Sequence, residues 1–280
     1  MTARFVLLGA AQDAGVPQIA CVCINCQDVR EGRAPAQWAV CGALLDDISR
    51  TAWLIDCGPD IKQQWDLLQL SGPGYKLEGV LLTHLHMGHY FGLAQFGKEA
   101  LNMKGLKVAG SRSVCDFLRT NQPWATCVSD GNFNLQELGA GQCYPLSGSA
   151  QLSVTPIPHP VTATGQPDTT ETQSTGVGEE AACSVRGKHS AVRSAVSDVD
   201  VAFLDACFFD ASELPPGRAP GSIPHPLVVE TLVAVAGLEH KVVLIHINHN
   251  SSLWRQDSEQ HQRVVAAGVR VGRQGAQYPL

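Results

Sequence analysis

The chain has 280 residues, of which 44% are hydrophobic and 16% charged, and its formal net charge is −6. This balance predicts a folded protein with a substantial core and excludes a chain that is disordered overall. The negative charge argues against an extended nucleic-acid or anionic-membrane surface. No apolar run approaches the roughly 18 residues of a membrane span, and the first residues make a poor signal peptide. We therefore expect a cytoplasmic protein without nucleic-acid or membrane partners.

Short apolar runs separated by Gly, Pro and Asp are typical of β-strands, and they alternate with longer helical patterns. The pattern predicts strands over 4–8, 43–45, 51–55, 79–82, 152–157, 199–204 and 242–247, and helices over 61–70, 89–104, 112–120 and 226–235. The strands at 43–45 and 51–55 are expected to form a hairpin. Strands mixed with helices, without one uniform repeat, indicate an α/β chain. We expect one domain over 1–280.

The segment 161–197 does not fit this pattern. It contains no Leu, Ile, Met, Phe, Tyr or Trp, and eleven of its residues are Ser or Thr. Such a segment cannot bury enough apolar area to offset the entropy lost on ordering. We therefore predict a flexible loop or irregular insertion.

Three histidines, His84, His86 and His89, lie within six residues directly after the predicted strand 79–82. Neutral imidazole nitrogens at the end of a strand can converge on a cation such as Zn²⁺. A single histidine there would more often be a surface or core residue, but three at this spacing favour a metal site. His84 and His86 would serve one ion, and His89 would face a second.

Other predicted strands also end in residues that can bind metal. His159 follows the strand 152–157, Asp205 follows an apolar run in 199–204, and His246 lies at the end of 242–247. In α/β proteins ligands assemble beyond the carboxyl ends of strands. The repetition of this pattern is the observation that favours a shared site.

A cluster of three cysteines, Cys21, Cys23 and Cys26, stands out among the ten of the chain. In a reducing compartment such a cluster indicates a metal site more than disulfides. Three thiolates can bind one Zn²⁺ and leave one tetrahedral position for a fourth ligand, because structural zinc sites are closed. The alternative is three free, buried cysteines.

These motifs make the chain recognisable. The His-x-His-x-x-His motif, the preceding segment 54–59 and the downstream His159 and His246 resemble the metallo-β-lactamase superfamily. The opening segment 9–18, which leads into the cysteine cluster, looks like the branch that holds pyrroloquinoline quinone synthesis protein B and the phosphoribosyl cyclic-phosphate phosphodiesterases. The resemblance implies a four-layer αββα sandwich.

The resemblance also implies a ligand set and an activity. The first ion would be bound by His84, His86 and His159, and the second by His89 and His246, with Asp205 as the best candidate for a bridging carboxylate. Weaker candidates in or beside the predicted loop are Asp168, Asp198 and Asp200. The ions would be Zn²⁺ or Mn²⁺/Fe²⁺, and the activity hydrolysis of a phosphodiester or related ester by a metal-bound hydroxide.

Two further histidines, His225 and His249, are candidate site residues. The resemblance implies that His225 is the fourth ligand of a structural Zn²⁺ at the cysteine cluster, which would be a Cys₃His site. His249, three residues beyond His246, is the candidate catalytic residue, either to contact a substrate phosphate or to protonate the leaving group. The alternative is that His249 only caps the end of the strand and has no catalytic role.

Other functions stay open because Gly88 stands where the superfamily usually has an Asp immediately before the third histidine. A nitrogen-rich site that is poor in carboxylates binds iron or copper as readily as zinc. The second candidate is therefore a metal-dependent oxygenase or accessory protein of quinone-cofactor synthesis, acting on a tyrosine-derived precursor. The third is a zinc-stapled pseudoenzyme with a vestigial pocket.

Overall fold

The computed structural model describes residues 3–139, 143–147, 150–153, 156–158, 179–181, 189–214, 217 and 225–280. In chain order, the strands of these residues are β1 (Ala3–Gly9), β2 (Cys41–Asp46), β3 (Thr51–Ile55), β4 (Lys76–Leu81), β5 (Leu106–Gly110), β6 (Phe133–Glu137), β7 (Cys143–Ser147), β8 (Ala150–Ser153), β9 (Pro156–Pro158), β10 (Glu179–Ala181), β11 (Ala202–Asp205), β12 (Val242–Ile245), β13 (Arg270–Val271) and β14 (Gln277–Pro279).

The α-helices of the described residues are α1 (Ile24–Arg30), α2 (Ile61–Ser71), α3 (Met87–Tyr90), α4 (Arg112–Thr120), α5 (Trp124–Ser129), α6 (His189–Ser197), α7 (Val228–Ala234) and α8 (Glu259–Ala266). Short 3₁₀ helices cover Phe91–Phe96, Ala211–Glu213, Glu239–Lys241 and Ser252–Trp254. None of the helices described here is both long enough and apolar enough to cross a membrane.

The chain divides into two compact units. The first comprises 1–6, 41–182 and 277–280 and contains a seven-stranded sheet in the order β14-β1-β2-β3-β4-β5-β6. Strands β2 and β3 form the predicted antiparallel hairpin, whereas β3 to β6 run parallel. Parallel strands direct their carboxyl ends to the same edge of the sheet, so residues that follow β3 and β4 come together there.

The second unit comprises 7–40 and 183–276 and contains the parallel sheet β11-β12-β13. Its core is formed by apolar side chains of this sheet and of the helices α6, α7 and α8. Members of this core include Val196, Leu204, Val228, Leu244 and Val264. The strand β12 is buried at all four positions, as expected for the central strand of a parallel sheet.

The structure differs from the sequence prediction in two segments. In place of the helix predicted over 89–104, the chain forms the short α3 and a 3₁₀ helix that ends at Phe96, and Asn102 adopts a positive φ of 50°. The segment 161–197 contains the strand β10 and the helix α6, where a loop was predicted. Val192 and Val196, four residues apart, bury one face of that helix. Residues 161–178 and 182–188 lie outside the described residues, and the prediction of one domain stays a prediction.

Candidate metal centres

The first candidate centre is built at the carboxyl ends of β3 and β4. The register of these parallel strands places Ile55 opposite Leu81, so that Asp56 and Thr83 follow at the same edge. The backbone N–H of Thr83 donates to Asp56 Oδ1 at 2.9 Å, and the Thr83 hydroxyl donates to the same carboxylate at 2.9 Å. Asp56 and Thr83 are both buried, so the carboxylate is fixed in position.

His89 is oriented by this carboxylate. Its Nδ1 donates to Asp56 Oδ2 at 2.8 Å, and both side chains are almost fully buried. Because a carboxylate only accepts, this hydrogen bond places the proton on Nδ1 and presents Nε2 as the nitrogen able to bind a metal. The backbone supports the arrangement, since Cys57 N–H donates to the His89 carbonyl at 2.7 Å. Such Asp–His pairs are typical of metal sites.

The three motif histidines lie side by side. The ring centroids of His84 and His89 are 3.9 Å apart, and those of His84 and His86 are 4.6 Å apart. His86 keeps an extended backbone and precedes α3, where His89 N–H donates to the His86 carbonyl at 2.9 Å. The turn therefore brings together the imidazole rings of three of the predicted ligands. His159, the fourth predicted ligand of this motif, lies outside the described residues.

A second group of candidate ligands forms at the ends of β11 and β12. Asp205 pairs with Ile245 in the parallel register, and His246 follows directly. Asp205 Oδ2 accepts from His246 Nδ1 at 3.0 Å and from His225 Nδ1 at 2.8 Å. Its other oxygen accepts from the backbone N–H of Cys207 at 3.0 Å. The ligand atoms of Asp205, Cys207, His225 and His246 all lie within 4.8 Å of one another.

The electrostatics of this group keep Asp205 ionised. Burial by itself would raise the pKa of this carboxyl, but the hydrogen bonds from His225 and His246 outweigh it and hold the pKa well below its usual value. Burial also raises the pKa of the Cys207 thiol. Both oxygens of Asp205 hold donors from the protein. Its predicted role as a bridging carboxylate therefore stays a prediction, while the geometry makes it the acceptor of two imidazoles.

The third candidate centre is the cysteine cluster in the second unit. His249 Nδ1 lies 3.3 Å from Cys21 Sγ, 3.5 Å from Cys23 Sγ and 3.7 Å from Cys26 Sγ. A tetrahedral Zn²⁺ with Zn–S of about 2.3 Å and Zn–N of about 2.05 Å would place S and N about 3.6 Å apart. The observed distances bracket this value, so the four side chains fit a Cys₃His zinc site. Burial lowers the pKa of His249, which favours the neutral, metal-binding imidazole.

The backbone around His249 is braced by its neighbours. Asn25 Nδ2 donates to the His249 carbonyl at 3.0 Å and to the Ser251 carbonyl at 2.8 Å. Trp254 Nε1 donates to the Asn248 carbonyl at 2.8 Å. Asn25 lies in the first turn of α1, between Cys23 and Cys26, so its two hydrogen bonds hold this helix to the His249 loop without the help of a metal ion.

The structure places two histidines at other positions than the sequence prediction did. His249, predicted as the catalytic residue, lies beside the three thiols, and His225, predicted as the fourth ligand there, lies on Asp205. The reason is that the carbonyl of His249 is tied to α1 through Asn25, whereas His225 immediately precedes the segment that leads into α7. Spacing in the sequence does not distinguish these two loops.

Sequence reasoning also missed two residues of these groups, Asp56 and Cys207. Asp56 carries the same signal that singled out Asp205, because it follows an apolar strand directly. Applying that signal to every strand end would have found it. Cys207 has no comparable signal, since it enters the group through the turn that follows Asp205.

Known proteins resemble this chain over most of its length. The profile of the beta-lactamase superfamily domain matches residues 51–247. Coenzyme PQQ synthesis protein B of Ruegeria pomeroyi is 25% identical over 300 aligned positions, covering 99% of this chain and 100% of that protein. The crystal structure of Zn²⁺-bound PqqB from Methylobacterium extorquens superposes with a TM-score of 0.82 at 17% identity, covering 99% of this chain and 100% of that one. A diphosphatase of the PhnP family gives a TM-score of 0.63 at 18% identity, covering 99% and 97%.

The chain therefore belongs to the metallo-β-lactamase superfamily. Within it, the full-length similarity is to the branch of coenzyme PQQ synthesis protein B. The predicted fold class is confirmed, because the structural neighbours that cover 99% of the chain have the metallo-β-lactamase fold. The chain's own groups of Cys, His and Asp ligand atoms are spaced so that they could hold a metal ion, as predicted.

Proposed function

We propose that the protein is a metal-dependent enzyme of coenzyme PQQ synthesis that acts on a small-molecule precursor. The observation that carries the proposal is the nitrogen-donor cluster of His84, His86 and His89. It occurs in a chain that aligns end to end with coenzyme PQQ synthesis proteins B. Imidazole donors suit iron as well as zinc. When bound, a redox-active metal such as iron supplies the one-electron chemistry needed to oxidise a precursor with O₂.

Hydrogen bonds within the protein fix the position of His89 in the absence of a metal ion. Asp56 holds the Nδ1 proton of His89, which fixes the ring and raises the basicity of Nε2. Thr83 in turn fixes Asp56 through its backbone and hydroxyl. Because Asp56 and His89 are buried, water does not compete for their hydrogen bond. His89 is therefore preorganised, which reduces the free energy lost when this ligand binds an ion.

A second candidate function is hydrolysis of a phosphodiester or related ester. It is favoured by the complete His-x-His-x-x-His set and by the likeness to a diphosphatase of the PhnP family. A metal ion at this site would polarise a phosphoryl oxygen and activate water. Gly88 and the engagement of both Asp205 oxygens weigh against a carboxylate-bridged pair of ions. For this reason we place hydrolysis second.

The proposal includes a cytoplasmic location, a small-molecule substrate and no nucleic-acid or membrane partner; a homodimer remains open to test. Eight cysteines have side chains that the structure describes, and none of these eight is in a disulfide, including the buried Cys41, Cys57 and Cys115. Free thiols in this number fit a reducing compartment. Size-exclusion chromatography with light scattering measures the oligomeric state directly.

The first experiment measures metal content per chain in protein purified without added metal. The test variant is the double substitution His84→Ala/His86→Ala, and the matched control is His240→Ala, an exposed histidine of the described residues. We expect the double variant to lose one metal and keep one zinc, whereas the control loses none. Equal metal content in all three proteins would show that the histidine cluster is empty and would favour the pseudoenzyme.

The second experiment separates the two reactions. The wild type and the same variants are expressed in a PQQ-producing bacterium that lacks its own protein B, and coenzyme PQQ is quantified. In parallel, the purified proteins loaded with iron, manganese or zinc are assayed with bis(p-nitrophenyl) phosphate. Restored PQQ that depends on His84 and His86, without phosphodiester cleavage, supports the proposal. Cleavage that depends on the same residues, without restored PQQ, would replace it with the hydrolase.

A further inference from the structure

A cavity of about 390 Å³ lies within the second unit, and none of the candidate metal ligands lines it. Its volume falls in the range of roughly 300–1,000 Å³ that is typical of small-molecule sites. The lining side chains that matter here are Asn25, Leu253, Trp254, Arg255, His261 and Arg273. The cavity is thus a separate feature that the metal chemistry above does not use.

Two arginines give the cavity its charge. Among the described residues, the guanidinium groups of Arg255 and Arg273 make no ion pair and donate no hydrogen bond, and Arg255 Nε is buried without an acceptor. Asp28 also lines the cavity, but Arg33 holds its carboxylate at 2.6 and 2.7 Å. A buried guanidinium N–H without an acceptor is costly, and a carboxylate or phosphate would satisfy it with a charge-assisted hydrogen bond.

Leu253 and Trp254 supply an apolar part of the wall, beside polar side chains such as Asn25 and Gln37. His261 is buried, and its Nδ1 donates to the Leu253 carbonyl at 2.7 Å, which holds the imidazole against this wall. The indole of Trp254 is anchored through Nε1 to the Asn248 carbonyl at 2.8 Å. Aromatic and aliphatic surfaces of this kind favour a planar or apolar group, whereas a bare inorganic ion would leave them in contact with water.

We propose that this cavity is a binding site for a small organic anion. Its carboxylate or phosphate group lies on Arg255 and Arg273, and its planar or apolar body packs against Trp254 and Leu253. The site is separate from the candidate metal centres, and the proposal stands or falls independently of the reaction proposed above.

The test uses isothermal titration calorimetry on the full-length, zinc-containing protein. Three probes are compared: isophthalate, which is a planar dicarboxylate, phenyl phosphate, and isophthalamide, the neutral counterpart of isophthalate. We expect isophthalate, phenyl phosphate or both to bind and isophthalamide not to bind. The two anions distinguish a carboxylate site from a phosphate site.

Variants locate the binding. Arg255→Gln and Arg273→Gln should each weaken binding of the anion about ten- to hundredfold, because each removes a hydrogen bond between charged groups. Arg263→Gln, an exposed arginine of α8 that does not line the cavity, is the matched control and should bind as the wild type does. Zinc content, measured for each variant, verifies that the fold is intact.

Three results would overturn the proposal. The first is no heat of binding for either anion up to about 10 mM, a concentration at which even a weak site is filled. The second is equal binding of isophthalamide, which would mean that charge plays no part. The third is equal weakening by Arg263→Gln and the cavity variants, which would show attraction by general surface charge.

Discussion

Replacing His249 with alanine should release the structural zinc, whereas replacing His225 should not. In the structure the Nδ1 atom of His249 lies 3.3 to 3.7 Å from three thiol sulfurs, and His225 instead donates to Asp205. The two variants therefore separate the observed arrangement from the one that the sequence suggested. His240→Ala serves as the control for loss of an exposed histidine.

The expected size of the effect follows from the free energy of zinc binding. Structural Zn²⁺ sites bind with about 10–16 kcal/mol at neutral pH, shared among four ligands. One ligand then contributes about 2.5–4 kcal/mol, which corresponds to roughly 10²- to 10³-fold weaker binding when it is lost. Part of this loss is recovered if water occupies the open position, so the lower end of the range is the better expectation.

The assay is competition with a chromophoric zinc chelator at neutral pH, in the presence of a reductant. We expect the wild type, His225→Ala and His240→Ala to retain one zinc at chelator concentrations that strip His249→Ala. Thermal unfolding of the same samples should show the lowest midpoint for His249→Ala, because bound zinc stabilises the folded state. If His225→Ala lost this zinc and His249→Ala kept it, the assignment of the fourth ligand would be refuted.

Three further substitutions test other parts of the structure. Asp56→Asn should weaken metal binding at the histidine cluster about 10- to 100-fold, because it disturbs the partner that orients His89; calorimetry with Zn²⁺ measures this, and unchanged affinity would contradict it. Glu213→Ala should lower the free energy of unfolding by about 1–3 kcal/mol in urea titrations, since Glu213 accepts from Ser252 N–H at 2.7 Å and from neighbouring donors. Gly92→Ala should cost about 3 kcal/mol or more in the same assay, because a Cβ would overlap the Gly58 carbonyl oxygen and lie 2.9 Å from the Cys57 carbonyl oxygen; a stability equal to the wild type would show that the segment can shift.

Much of the fold could be predicted from local patterns. The helix Arg112–Thr120 and the strand Thr51–Ile55 have the predicted bounds. Both are sharply delimited, the helix by the Ser111 cap, whose hydroxyl accepts from Val114 N–H, and the strand by the hairpin turn before it. The prediction of a helix over 89–104 was wrong, because glycines interrupt the apolar pattern of this segment. Gly92 N–H donates to the Cys57 carbonyl, a bond outside any helix.

The candidate metal sites could likewise be predicted only where their residues are close together in the sequence. The three motif histidines could be predicted because they are neighbours in sequence, and the strand end alone brings them together. The partner of the cysteine cluster could not, because His225 and His249 are both about two hundred residues away from it. Only tertiary contacts, such as the hydrogen bond from Asn25 to the His249 carbonyl, decide which of them reaches the thiols.

A common device underlies the two Asp–His groups. In the first unit Asp56 follows β3 with a φ of 63°, and in the second His246 follows β12 with a φ of 57°. Both are non-glycine residues in the left-handed region, which costs on the order of 1–2 kcal/mol each. In each case the residue belongs to an aspartate–imidazole hydrogen bond, Asp56 with His89 and His246 with Asp205.

The residue with the positive φ is the aspartate in the first pair and the histidine in the second. The chain therefore turns sharply directly after the strand, and this turn points a side chain toward its partner. Either the aspartate or the histidine of the pair can occupy the position at the turn. A search for metal ligands should accordingly examine every strand end for both residue types, and would then have found Asp56 together with Asp205.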